Sequence, residues 1–136
     1  MRRAALVALL ALGLTGCGSA SADLFEVKRG GPGAGAKVAL VVSDDGTVRC
    51  NGKPPRPVGA KRLLAARQLA RDLGKQAALG LELPPGRKED TTFTYRAELA
   101  EGTIAFADSS RGLPATYTRL AAFTRQVSRQ VCKLER

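Results

Sequence analysis

The sequence of 136 residues contains no histidine and no tryptophan, and only six aromatic side chains. The missing histidine excludes the usual Ser-His and Cys-His nucleophile systems and histidine-ligated metals. No glycine-rich loop runs into Lys-Ser or Lys-Thr, so there is no standard P-loop. Aromatics are not interleaved with basic blocks, so stacking on nucleic-acid bases is not expected. The apolar runs are all too short to span a hydrocarbon core, which takes about 20 residues. With so few aromatics, any core must rest on Leu, Val and Ala.

The first residues form a three-part secretory signal. Arg2 and Arg3 give a positive start, Ala4 to Leu14 an apolar run, and small residues follow. The run ends in Leu14-Thr15-Gly16-Cys17, which resembles the lipobox of bacterial lipoproteins: an aliphatic residue, two small residues, then cysteine. That resemblance implies cleavage after Gly16 and acylation of Cys17. Residues 1–16 are then a signal peptide, residues 17–23 a lipidated cysteine with a flexible tether, and residues 24–136 a single domain. More than one acyl chain holds a protein to a bilayer stably, since a single chain is marginal. The expected location is the extracytoplasmic side of the cell membrane, held through lipid such as palmitate on Cys17.

Cleavage leaves about 120 residues, enough for one modest core. It removes Arg2 and Arg3 and leaves twenty basic and twelve acidic residues, a net charge of +8. An Arg-rich solvated surface accounts for this charge; attraction to lipid headgroups or another polyanion is the alternative. Cys50 and Cys132 remain after Cys17 is acylated. In an oxidising compartment they are expected to pair as a disulfide closing a long loop. Two distant cysteines are too few for a metal site.

Along the mature chain, Phe25 and Val27 alternate with Glu26 and Lys28, which predicts a first strand. The run Gly30-Gly31-Pro32-Gly33-Ala34-Gly35 breaks it. Lys37–Val42 is a second strand, Ser43–Gly46 a turn, and Thr47–Cys50 a third strand. Asn51–Pro57, with three prolines, ends that sheet segment. Lys61–Leu79 is helical, with Leu63, Ala66, Leu69, Ala70, Leu73 and Ala77 on one stripe. Arg67, Arg71 and Lys75 form a basic stripe, read as the solvated side of a surface helix, with contact to acidic lipid as the alternative. Thr92–Leu99 and Thr103–Ala107 form a hairpin. Pro114 opens a last helix that runs to about Lys133, with Tyr117, Leu120, Phe123, Val127, Val131 and Leu134 inward. The expected fold is α+β: a small antiparallel sheet of order βββαββα with two helices packed on one face.

The adjacent acidic pairs Asp44-Asp45 and Glu89-Asp90 lie in turns, where neighbouring side chains point apart. Asp108 suits a turn. Neither arrangement sets two carboxylates across a substrate, so no catalytic residue, metal or cofactor is assigned.

Further residues resemble the emfourin-like family. They are Phe25 followed by Gly30-Gly31 and Gly35, the Val38–Val42 strand, Phe93-x-Tyr95, Phe106-x-Asp108, Pro114, and Leu120 in the final helix, across most of residues 24–124. The loop departs from the family's in carrying Pro32 and Ala34. The resemblance implies inhibition of thermolysin-like metalloproteases by loop occlusion. It would make Gly30, Gly31, Pro32, Gly33 and Gly35 the partner contact. The broader expectation is an exported binding module with a protein partner in the envelope, of which a metalloprotease is the alternative identity.

Overall fold

A computed structural model describes residues 22–87 and 92–134. The expected signal peptide 1–16, Cys17, the expected tether through residue 21 and the Glu89-Asp90 pair lie outside the described residues.

Strand β1 (Asp23–Gly30) lies inside a six-stranded antiparallel sheet. Its neighbours are β2 (Val38–Ser43) on one side and β5 (Thr94–Leu99) on the other. Strand β3 (Thr47–Cys50) follows β2, and the two-residue β4 (Arg56–Pro57) follows β3; β6 (Gly102–Ala107) lies beyond β5. Register is dictated by alternation, because side chains one residue apart point to opposite faces. Val27 faces Leu40 on one neighbour and Ala97 on the other, and all three are fully buried. One residue along, Glu26 faces Val41 and Glu98, on the opposite, more solvated face.

Helices α1 (Ala60–Ala78) and α2 (Ala115–Gln130) cover the buried face. Phe123 of α2 meets Phe25 edge-on at 5.8 Å between centroids, while Tyr117 lies 5.0 Å from Phe106, which stacks on Tyr95 at 4.9 Å. Five of the six aromatics thus seam α2 to the sheet. Two buried hydroxyls on α2 are satisfied within the helix: Thr124 donates to the Leu120 carbonyl and Ser128 to that of Thr124.

The helices run antiparallel. Arg119 of α2 donates to Asp72 of α1 at 2.6 Å, and Arg62 near the start of α1 donates to Gln130 at the end of α2. Helix α1 lies across one end of the sheet. Arg67 bonds Asp44 in the β2–β3 turn, and the other half of the helix packs on the β5–β6 turn. That contact requires Gly102: a Cβ there would come within 2.2 Å of the Ala77 carbonyl oxygen.

The α+β class, the antiparallel sheet and the two covering helices agree with the sequence expectation. The element order differs by one strand. Residues 51–57 do not simply end the sheet, because Arg56 and Pro57 pair with Val48 and Thr47. A second addition covers the other edge. Leu83 donates to the Ala105 carbonyl, and Ala105 donates back to that of Leu81, so residues 81–83 shield β6. A proline in one edge strand and a covering segment on the other both blunt edge pairing. The last helix stops at Gln130, short of Lys133, because the chain turns there and Lys133 has a φ of 56°.

Cys50 and Cys132 form a disulfide, with Cα atoms 5.9 Å apart. It ties the end of α2 to β3 across a separation of 82 residues. Chain entropy for a loop of that size gives at most about 4.5 kcal/mol. The Cys50→Ala, Cys132→Ala double variant should lose most of this. The urea midpoint would fall and the slope would rise, because the freed denatured chain exposes more surface; an unchanged midpoint would refute the expectation.

The Arg119 hydrogen bond is the main reason that the Asp72 carboxyl sits below the ordinary aspartate range. A depressed carboxyl stabilises the fold fully above its unfolded value, and that contribution is lost as pH falls through the folded value. Asp72→Asn should therefore lower the denaturation midpoint near neutral pH. The difference from the parent should shrink as pH falls through the folded value and vanish once Asp72 is protonated in both states.

Candidate functional site

The glycine-rich segment follows β1 directly. The alternation that buries Phe25 and Val27 also turns Arg29 inward, and this arginine is only 5% exposed. A charged group placed there needs hydrogen-bond acceptors. It finds them in the loop: Arg29 Nε donates to the Ala36 carbonyl at 3.0 Å and Nη2 to the Gly35 carbonyl at 2.9 Å. Its guanidinium also lies 4.8 Å from the centroid of the Phe93 ring, a cation–π distance. Arg29 thus straps the returning end of the loop to the strand that precedes it.

Phe93 holds the leaving end. A Cβ on Gly31 would come within 2.7 Å of its ring. Gly33 and Gly35 have φ values of +95° and +82°, a region L-residues rarely occupy. Between these fixed points Gly31 through Gly35 are exposed, whereas Ala36 is buried. The loop is therefore solvent-facing and held at both ends.

Beside it lies a groove of about 450 Å³, walled by the loop, Phe93, Leu134 and the arginines Arg125 and Arg129 of α2. Tyr95 lies close by. Burial pushes its phenol up, the Asp108 charge pushes the same way, and Arg29 and Arg125 oppose them. The phenol therefore stays neutral at physiological pH. The surroundings are cationic and suit carboxylate or other acidic groups on a partner.

A second hollow, about 650 Å³, lies on the open sheet face against Leu83, Pro84 and Pro85. Its charges largely cancel: Arg96 pairs with Glu82 at 3.2 Å, and Lys28 with Glu26 at 3.2 Å. It offers a trough of mixed sign.

The structure brings Gly31, Pro32, Gly33 and Gly35 together in one exposed loop, whereas Gly30 is the half-buried last residue of β1, paired with Thr94. The Cys50–Cys132 pair clamps the end of α2 to β3, and Leu134, two residues further on, lies against the loop at Gly35. Asp44 and Asp45 serve structure: Asp44 accepts from Arg67, and Asp45 accepts from the backbone and side chain of Thr47. Among the described residues no group of His, Cys, Asp and Glu could hold a metal ion, and no helix is long and apolar enough to cross a membrane. The sequence reading did not single out Arg29. Its position two residues after Val27 on an alternating strand was the available signal.

Replacing the strap with a shorter reach should loosen the loop alone. Arg29→Lys keeps the charge but loses the forked grip on two carbonyls. Exchange of the buried Ala36 amide, which donates to the Gly33 carbonyl, should rise about tenfold, consistent with a loss of roughly 1.5 kcal/mol in charged hydrogen bonds. Protection in β2 and α1 should persist, and equal loss everywhere would refute a local role.

Compared with protein family models, curated proteins and solved structures, the chain matches none.

Proposed function

We propose that this chain is an exported lipoprotein, held on the extracytoplasmic side of the cell membrane by acyl chains on Cys17, that works by binding a protein partner through its glycine loop. The observation that supports a binding role is the loop itself. Gly31–Gly35 is exposed, yet Arg29 and Phe93 hold it at both ends. Ordering a loop before contact removes an entropic cost that binding would otherwise meet. On this reading the chain acts by occupying a surface, without turning over a substrate.

One partner class is favoured by the resemblance. The resemblance of residues 24–124 to emfourin-like proteins implies a thermolysin-like metalloprotease as the target. An exposed glycine-rich segment, held at both ends, suits inhibition by occlusion. The basic groove beside it would meet acidic groups at the rim of such a cleft.

Two measurements test the proposal. The full chain is expressed in a bacterial host, and the mass of its N-terminal peptide is read. Acylated Cys17 with residues 1–16 removed is expected, and Cys17→Ala should block both steps. Unmodified, uncleaved protein would overturn the lipoprotein reading. The oxidised mature chain is then titrated against a thermolysin-like protease with a small peptide substrate. Saturable inhibition, weakened at least tenfold by Gly33→Pro, is the expected result. Full protease activity in the presence of high micromolar folded protein would eliminate the inhibitor.

A further inference from the structure

Helix α1 carries a solvent-facing stripe whose composition is unlike that of an ordinary surface helix. Lys61, Leu64, Gln68, Arg71, Lys75 and Leu79 recur at spacings of three and four, so they share one side. All six are exposed. Two are leucines, 65% and 75% exposed. Three are cations. The acidic residue of the helix, Asp72, sits at the margin and is bonded to Arg119 and Gln68. Arg67, which the sequence spacing joined to Arg71 and Lys75, is not part of this side. It turns back to Asp44, donating to the carboxylate at 2.6 Å and to the backbone carbonyl at 3.1 Å.

Charge on the molecule is unevenly shared. The two helices carry Lys61, Arg62, Arg67, Arg71, Lys75, Arg119, Arg125 and Arg129 against a single acid, Asp72. On the open sheet face, by contrast, Glu26, Glu82 and Glu98 alternate with Lys28, Arg49 and Arg96. The helical side is the cationic side.

The position of the chain's N-terminal segment adds a second, independent constraint. The Ala22 carbonyl accepts from the Asp44 amide at 2.9 Å, and Asp44 is the residue that Arg67 of α1 holds. The described chain therefore begins beside α1. Ala22 lies five positions after Cys17, a reach of at most about 18 Å. The glycine loop is at the other end of β1, about 23 Å away at strand rise.

We propose that the exposed stripe of α1 is the surface on which the domain rests against an anionic bilayer, with Lys61, Arg71 and Lys75 facing lipid phosphates and Leu64 and Leu79 entering the headgroup layer. The assignment rests on the lipid-anchor reading for its choice of occupant. A short acylated tether leaving beside α1 keeps that helix within reach of the membrane. Cations with interspersed leucines on one helical side are the chemistry of interfacial binding. The consequence is an orientation: α1 faces the lipid, and the glycine loop is held at the far end of β1, turned toward partners.

The test uses the oxidised mature chain, residues 17–136, carrying Cys17→Ser so that no acyl group contributes. Sedimentation is measured with phosphatidylcholine vesicles, with and without about one-third phosphatidylglycerol. Partitioning into the anionic vesicles should exceed that into neutral ones at least tenfold at about 0.1 M salt and collapse at about 0.5 M, as the screening length shrinks. The Lys61→Glu, Arg71→Glu, Lys75→Glu variant should lose about a hundredfold or more. Leu64→Gln with Leu79→Gln, which leaves charge unchanged, should lose several-fold. A control, Lys28→Glu with Lys37→Glu and Lys53→Glu, makes the same charge change elsewhere and should lose far less. Equal loss in the control, no preference for anionic vesicles, or binding of soluble polyphosphate as tight as that of vesicles would each overturn the assignment. The anchor reading fails separately: an unacylated Cys17 in the full chain would refute it and leave the vesicle result standing.

Discussion

The two-residue period of β1 sets the terms for much of this structure. Phe25 and Val27 point under the helices, so Arg29 must as well. A guanidinium at that depth has to find acceptors close at hand, and the loop that follows supplies two carbonyls and an aromatic face. The same strand carries the register for its neighbours, with Val27 between Leu40 and Ala97. The sheet core and the conformation of the glycine loop are therefore consequences of one alternation, continued one step further than hydrophobicity alone would carry it.

The helices complete the core in different ways. Helix α2 brings the aromatics and is tied down at its end by Cys132. Helix α1 brings small and aliphatic residues, Ala66, Leu69, Leu73 and Ala77, and spans the two hairpin turns at one end of the sheet. A core poor in aromatics depends on close approach, which is what Gly102 allows under Ala77. Helix α1 lies across that end, opposite the loop along β1, so the molecule has two distinct ends.

That polarity gives the proposed functions a common geometry. A lipid on Cys17 would hold the α1 end near the membrane, where cations and exposed leucines are favourable. The strapped loop, with the Arg125 and Arg129 groove beside it, would face outward. The disulfide and the loop strap suit a domain that works outside the reducing compartment and meets its partner without rearranging.

By itself the sequence determined the α+β class, the two helices with their inward stripes, the two hairpins and the pairing of Cys50 with Cys132, because these depend on local periodicity and on counting thiols. It also marked the glycine segment as a break after β1. Tertiary structure alone decided the rest. Strand β4 has two residues, one of them proline, and exists only because β3 offers an edge. Residues 81–83 join β6 through backbone groups that any side chains could bring. Arg67 leaves its helical row because Asp44 lies within reach across the turn. Arg29 becomes a strap because the loop returns over it. Each is a contact between segments distant in the chain, and periodicity along one segment holds no information about which partner the fold will bring.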